Sequence, residues 1–129
     1  MICVKTKIKQ SEISGIGLFA DEYIPKGTVV WRFEPSFDIL MTKEEIENLS
    51  KPAQEQFYNY CFFDNNYNKY VLCGDDARFF NHSNNSNCND SLPDITTALR
   101  DINPEEELTV NYKTFNGDII HHPDKYEWL

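Results

Sequence analysis

Residues 78–88 read RFFNHSNNSNC, and this stretch decides how the rest of the sequence is interpreted. Its asparagines and serines are turn formers, because their side chains bond the local backbone and Asn tolerates left-handed conformations. Turn chemistry does not explain why an Arg-Phe-Phe segment runs straight into Asn81, His82 and Ser83. This junction needs a further reason, which the other motifs of the chain must supply.

The size and charge of the chain limit the classes of function it can have. Its 129 residues, 40% of them hydrophobic, are enough for one domain with a single core. Lys and Arg number 12 against 21 Asp and Glu, which gives a formal net charge of −9. This balance argues against a nucleic-acid binder, which needs a basic face, and favours a basic partner attracted by electrostatic steering.

The four cysteines are Cys3, Cys61, Cys73 and Cys88, and they form no C-x-x-C pair and follow no apolar secretory segment. We expect them to be reduced and to pack as small hydrophobic residues in an intracellular protein. A zinc site is the alternative, although no pair has ligand spacing. No apolar run approaches the ~18 residues of a membrane span, so no membrane contact is expected.

Periodicity predicts many short strands and one helical region. Alternation and β-branched residues favour strands at positions 2–8, 18–20, 28–33, 70–73, 95–99 and 108–112. Thr42 and Glu45 form a capping box that starts a helix. A second helix starts at Ser50, with Pro52 in its first turn, and runs toward Tyr60. Because βαβ alternation is absent, the sequence predicts a mostly-β fold.

Two further motifs are ambiguous when each is taken alone. Gly15-Ile16-Gly17 can be a turn that needs positive φ, or a backbone that must approach a ligand closely. It lacks the third glycine of a dinucleotide site. The segment EELTVNY, residues 106–112, can be an acidic turn entering a strand whose Tyr112 is merely structural.

The order and spacing of these motifs resemble the SET domain, the family of protein-lysine methyltransferases that use S-adenosylmethionine. The resemblance rests on G-x-G, R-F-x-N-H-S and E-E-L-T-x-x-Y, and it spans residues 11–112. It implies a β-clip fold of short strands with one short helical insertion and a pseudoknot-like core, in which the N-H-S segment passes beneath the segment carrying Tyr112. We expect a single SET domain over residues 1–129, with its core at about 3–113 and a C-terminal flank at 114–129.

The resemblance also implies roles for individual residues. Tyr112 is expected to be catalytic, and Tyr60, Phe62 and Val110 to line the channel for the substrate lysine. The residues expected to contact S-adenosylmethionine are Gly15, Ile16, Gly17, Arg78, Phe79, Asn81, His82, Tyr112 and Trp128. Two of these residues have plainer alternatives, Tyr60 as a core tyrosine at a helix end and Trp128 as a packing residue.

The chain departs from the family pattern at four positions. Asn84 and Ser86 stand where Cys and Pro are usual, and the C-terminal cysteines that would complete a zinc site are also missing. No metal is therefore expected. Asn111 replaces the common Asp before the tyrosine. Val110 is aliphatic where many members have an aromatic residue, so the number of methyl groups added stays open.

The expected function is methyl transfer from S-adenosylmethionine to the side-chain nitrogen of lysine in a basic protein or peptide, a histone or another. A catalytically weak module that binds lysine peptides is the alternative, and modification of small amines is a third reading. We expect an intracellular protein, cytoplasmic, or nuclear if it is eukaryotic or acts on host chromatin. It is expected to be a monomer or homodimer without direct contact to nucleic acid or membrane.

Overall fold

The structure, a computed structural model, describes residues 1–118, 124 and 127. Short strands dominate this part, which confirms the mostly-β architecture predicted from the sequence. The strands are β1 (Thr6–Gln10), β2 (Ile16–Ala20), β3 (Val29–Arg32), β4 (Ile39–Met41), β5 (Phe62–Asp64), β6 (Lys69–Leu72), β7 (Asn81–His82), β8 (Cys88–Asn89), β9 (Ile95–Ala98) and β10 (Thr109–Val110). The α-helices are α1 (Lys43–Glu47) and α2 (Lys51–Tyr60), and 3-10 turns span Asp76–Phe79 and Tyr112–Thr114.

The strands form several small sheets. β1 and β2 make an antiparallel hairpin, while β3-β9-β8 and β4-β6-β5 are antiparallel three-stranded sheets. β7 and β10 pair in parallel, with Asn81 opposite Thr109 and His82 opposite Val110. Because these two strands lie far apart in the chain, their pairing brings the N-H-S segment against the segment that leads to Tyr112.

The helical insertion begins as the sequence predicts. The Thr42 hydroxyl accepts from the Glu45 N–H at 3.1 Å, and the Glu45 carboxylate accepts from the Thr42 N–H at 3.2 Å. α2 has Ser50 as its N-cap and a proline in its first turn. The helices bury Ile46 and Phe57 in a cluster that includes residues of the β4-β6-β5 sheet. This burial holds the end of α2 next to β5.

Two apolar clusters meet the R-F-F segment at Phe80. The first is built on Leu18, Ala20, Ile24, Val30, Cys88, Ala98, Ile102, Leu108 and Val110. The second is built on Trp31, Phe33, Val71, Cys73 and Ala77. Phe80 packs against both clusters. The Phe of R-F-F that precedes Asn81 therefore anchors the N-H-S segment in the core.

The cysteines and the helices can also be compared with what the sequence predicts. Cys61, Cys73 and Cys88 are buried in apolar clusters as small hydrophobic residues, as predicted, while Cys3 is exposed. In the part of the chain that the structure describes, no group of three or more His, Cys, Asp or Glu could hold a metal ion. No helix found among these residues has the length and apolar character needed to cross a bilayer.

Two expectations about the strands need correction, and four observed strands were not predicted. The strand predicted at 2–8 is β1, which starts at Thr6 rather than at Ile2. Ile2 makes an isolated bridge to Trp31. The strand predicted at 108–112 is limited to β10, because the Asn111 side chain accepts from the Lys113 N–H at 3.1 Å and starts a 3-10 turn. β4, β5, β7 and β8 were not predicted, since strands of two or three residues are too short to show a periodicity.

Candidate active site

The parallel pairing of β7 and β10 brings the motifs together. The Ser83 N–H donates to the Val110 carbonyl at 3.0 Å, which extends the pairing beyond His82. Asn87 fixes the same junction, because its side chain donates to the Glu107 carbonyl at 2.8 Å and accepts from the Thr109 N–H at 2.9 Å. These bonds fix the backbone of the segment that leads to Tyr112.

Tyr112 lies where these segments meet. Its hydroxyl donates to the Phe80 carbonyl at 2.6 Å, and its backbone N–H donates to His82 Nδ1 at 3.1 Å. Burial, with a smaller effect of the Glu107 charge, raises the pKa of Tyr112 to about 12. The phenol is therefore protonated at neutral pH, and it is a neutral hydrogen-bond donor rather than a base.

His82 is a neutral partner of the tyrosine segment. Burial lowers the pKa of its imidazole, the charge of Lys113 lowers it further, and a bond with the Asn84 side chain acts in the opposite direction. Because Nδ1 accepts from the Tyr112 N–H, the neutral ring carries its proton on Nε2. A neutral imidazole adds no positive charge to the site, a condition that favours a cationic ligand nearby.

Asn81 ties the G-x-G turn to the E-L-T segment. Its side-chain N–H groups donate to the Ser14 carbonyl at 3.1 Å and to the Glu107 carboxylate at 2.9 Å. The same carboxylate accepts from the Ser11 hydroxyl at 2.7 Å. A Cβ on Gly17 would stand 2.4 Å from this carboxylate. Gly17 is thus needed because Glu107 occupies the space that a side chain would fill.

Gly15 and Gly17 have different reasons to be glycine. Gly15 has φ of +47°, so the predicted turn with positive φ is present at this residue. A Cβ there would meet nothing within 4 Å, and Gly15 and Ile16 lie at the rim of a cleft. Gly17 is buried and does not line that cleft. A direct contact of Gly15 and Ile16 with a ligand stays a prediction.

Tyr60, Phe79 and Arg78 form one wall beside the end of α2. The rings of Tyr60 and Phe79 meet edge to face, with 5.8 Å between their centroids, and the Arg78 guanidinium lies 6.0 Å from the Tyr60 centroid. Arg78 also donates to the Cys73 carbonyl at 3.1 Å. Because Tyr60 is 41% exposed, it is not the core tyrosine that was the plainer alternative.

These residues line one cleft of about 1110 Å³. It brings together most residues that the sequence singled out, namely Gly15, Ile16, Tyr60, Phe62, Arg78, Phe79, Asn81, His82, Val110 and Tyr112. Phe115 joins them, with its ring 5.3 Å from Phe62 and 6.0 Å from Tyr112, both edge to face. Trp128, which was expected to contact a cofactor, lies outside the described residues.

Sequence reasoning missed three residues of this region. Glu107 belongs to the E-E-L-T motif but was given no role of its own, yet its carboxylate accepts from Ser11 and Asn81 and lies against Gly17. Trp31 and Asp90 line the cleft, although no motif includes them. In the sequence, Trp31 is only a tryptophan in a strand predicted to be buried, and Asp90 is an aspartate two residues after Cys88. Neither pattern indicates a site.

The comparisons with known proteins agree with this geometry. The family model of the SET domain matches residues 15–113. A Plasmodium falciparum protein proposed to be a histone methyltransferase has a similar structure, with a TM-score of 0.60 and 20% identity over 86% of this chain and 95% of that one. No match was found among curated protein sequences.

Two further similar structures belong to a much longer chain. A humanized mutant of the Chaetomium thermophilum Polycomb Repressive Complex 2, bound to the inhibitor GSK126, gives a TM-score of 0.63 and 22% identity over 91% of this chain. An apo form of the Chaetomium thermophilum complex, with two other substitutions in its Ezh2 subunit, gives a TM-score of 0.65 and 22% identity over 88% of this chain. This chain spans 16% of the length of either one. At such identities the likeness establishes the fold alone.

Proposed function

Because the chain belongs to the SET domain family, we propose that it transfers a methyl group from S-adenosylmethionine to the side-chain nitrogen of a lysine in a protein substrate. The observation that carries this proposal is the placement of Tyr112. Its neutral hydroxyl lies where the N-H-S and E-L-T segments meet, and it shares a cleft with Asn81 and His82.

The residues of the cleft fit S-adenosylmethionine. When bound, this cofactor supplies a methyl group on a positively charged sulfur. The volume of about 1110 Å³ is above the ~300–1,000 Å³ usual for a small-molecule site, so it has room for the cofactor and for a substrate side chain. Neutral His82 and the edge-to-face Tyr60–Phe79 pair provide a polar but uncharged region and an aromatic wall.

The walls of the cleft can prepare the substrate nitrogen. Free lysine has a pKa of about 10.4, so a nucleophilic amine must lose a proton first. Phe62 and Phe115, both half-buried, present apolar surface to the cleft, which disfavours an ammonium by removing it from water. The Tyr112 hydroxyl, already oriented by the Phe80 carbonyl, can align the neutral amine.

The departures from the family pattern are accommodated in the structure. Asn84 interacts with the His82 imidazole, and Asn111 caps the 3-10 turn that presents Tyr112. Both departures therefore have a structural partner, and the lysine-peptide binder without activity stays the alternative to be tested. Val110 is buried, at 1% exposure, in the core cluster beside the cleft.

A basic protein is the substrate class that we infer. The net charge of −9 favours a lysine-rich partner, and similar structures include a protein proposed to be a histone methyltransferase. The four cysteines, free in the structure, support a reducing compartment, either cytoplasm or nucleus. Light scattering of the purified protein would distinguish the monomer from the homodimer.

Calorimetric titration with S-adenosylmethionine tests the proposal, followed by transfer of tritium to mixed histones and cell lysate. Binding with label on lysine is the expected result. Binding of a lysine peptide without any binding of S-adenosylmethionine would replace the proposal by the binding module. Label on free lysine, but not on protein, would replace it by modification of small amines.

A further inference from the structure

A row of three side chains crosses the sheet β3-β9-β8 on the face that lines the cleft. Trp31 of β3 is paired with Thr96 of β9. Cys88 is paired with Ala98 and Asn89 with Thr97, and the same register continued by one residue sets Asp90 opposite Thr96. Residues directly opposite one another share a face, so Trp31, Thr96 and Asp90 stand side by side.

The contacts confirm that Asp90 belongs to this row. The Thr96 hydroxyl donates to an oxygen of the Asp90 carboxylate. Trp31, Thr96 and Asp90 all line the cleft. Phe80 packs against the cluster that contains Trp31, while its carbonyl accepts the Tyr112 hydroxyl. Phe80 therefore contacts both Tyr112 and the cluster that contains Trp31, and the row and Tyr112 line the same cleft.

Two groups of this row have hydrogen-bonding capacity left over. Trp31 is 7% exposed, and its indole N–H has no acceptor among the described residues. A buried donor without an acceptor is costly, which makes it an indication of a ligand group. Asp90 accepts from Thr96, yet an ionised carboxylate has about four acceptor positions. The row thus offers one donor and several acceptors to a ligand.

Charge in the cleft is unbalanced toward negative. Of the Asp, Glu, Lys and Arg side chains lining it in the described part, Asp64, Asp90 and Asp94 are acidic and Arg78 is basic. None of the three carboxylates forms an ion pair within the described residues. A buried or half-buried carboxylate without a counter-charge favours a cationic ligand.

We propose that the Trp31–Asp90 row is a subsite for a second basic side chain of the substrate, distinct from the lysine that is methylated. The Asp90 carboxylate binds its ammonium or guanidinium group, and the Trp31 indole donates to a carbonyl of the substrate backbone. This inference rests on the proposed function for the protein nature of the ligand. It adds that the substrate carries a Lys or Arg close to the target lysine.

The methylated lysine itself is a poor occupant of this subsite. A carboxylate in contact with an amine favours its protonated form and raises its pKa. Methyl transfer needs the neutral amine, which the apolar walls near Tyr112 favour. One nitrogen cannot be both charged and neutral. Two different side chains can meet the two requirements, with a cation at Asp90 and a neutral amine near Tyr112. Asp90 is therefore a positioning residue rather than a catalytic one.

The indole N–H signal of Trp31 provides a direct test without cofactor or turnover. The chain has two tryptophans, and Trp31→Phe assigns the signal in a ¹⁵N-correlated spectrum. N-acetyl-arginine methylamide is titrated first, then N-acetyl-citrulline methylamide, its uncharged counterpart. We expect the arginine probe to shift the signal with an affinity about tenfold or more above that of citrulline, the range for a hydrogen bond between charged groups.

Two variants determine whether Asp90 causes that preference. In Asp90→Asn, the arginine and citrulline probes should bind with equal affinity. The control is Glu55→Gln, which removes one negative charge from the exposed side of α2. This control should keep the preference for the arginine probe. Equal affinities in the unmodified protein, no shift at millimolar arginine probe, or an unchanged preference in Asp90→Asn would overturn the subsite. The titration contains no S-adenosylmethionine, so a negative result would refute the subsite without refuting the proposed methyl transfer. Conversely, a failure of cofactor binding would not refute the subsite.

Discussion

Replacing Asp90 by Asn should stabilise the folded protein at neutral pH. Burial raises the pKa of the Asp90 carboxyl from its ordinary 3.8 to about 6, against the opposite effect of the Thr96 hydroxyl. Asn keeps an oxygen that can accept from Thr96, and it removes the buried charge. A cost in stability of this kind agrees with a role in binding, because functional sites commonly trade stability for activity.

The magnitude follows from the shift in pKa. The difference of 6 − 3.8 = 2.2 units corresponds to about 3 kcal/mol at about 1.4 kcal/mol per unit. Asp90 as a residue is half-buried, so water reaches part of it and this figure is an upper limit. We expect a gain of about 1–3 kcal/mol in the free energy of unfolding at pH 7.

The sign of the pH dependence is fixed by the raised pKa. Between pH 3.8 and about 6 the folded state keeps a proton that the unfolded state has lost, so stability falls as pH rises through this window. The full penalty is present at pH 7 and little remains at pH 4. The Asp90 charge is one of the causes that raise the pKa of the Cys73 and Cys88 thiols. Both thiols stay neutral throughout this window.

Urea unfolding at pH 7, 5 and 4, followed by circular dichroism, measures this gain. Asp90→Asn, Glu55→Gln and the unmodified protein are compared at each pH, so that the titration of other carboxyl groups cancels. The stabilisation should appear at pH 7 only in Asp90→Asn and shrink toward pH 4. Destabilisation at pH 7, or an equal gain at pH 7 and pH 4, would refute the reasoning.

Two other substitutions test the framework of the site by thermal and urea unfolding. Gly17→Ala should destabilise by about 1–3 kcal/mol, because its Cβ would displace the Glu107 carboxylate that Asn81 and Ser11 hold; unchanged stability would contradict that role. Tyr70→Phe should cost about 1 kcal/mol or more, because it removes a buried bond of 3.0 Å to the Asp118 carboxylate, and a neutral effect would contradict it.

The sequence was most informative where a motif has a fixed composition. R-F-F-N-H-S and the segment ending at Tyr112 lie together in the structure, and the capping box starts α1 where it was predicted. The family was identified from those motifs, and the family model confirms it. The reason for the Arg-Phe-Phe junction is also clear, because Phe80 anchors both clusters just before Asn81.

The remaining parts depend on contacts between distant residues, which no local pattern displays. The role of Gly17 follows from Glu107, a residue far along the chain. The sequence alone suggested only a turn or a close approach to a ligand, and it placed Gly17 among the residues expected to contact the cofactor. The Trp31–Asp90 row depends on the register of three strands, one of them only two residues long. Two-residue strands have no period to recognise, so this face of the cleft could not be predicted.

The most direct test of the central claim compares methyl transfer by the unmodified protein and by Tyr112→Phe. Tritiated S-adenosylmethionine is supplied with mixed histones and lysate, and calorimetry measures cofactor affinity in both proteins. We expect label on lysine with the unmodified protein, a loss of about a hundredfold or more in Tyr112→Phe, and little change in affinity for S-adenosylmethionine. Equal transfer by both proteins would contradict the role of Tyr112 and, with it, the mechanism.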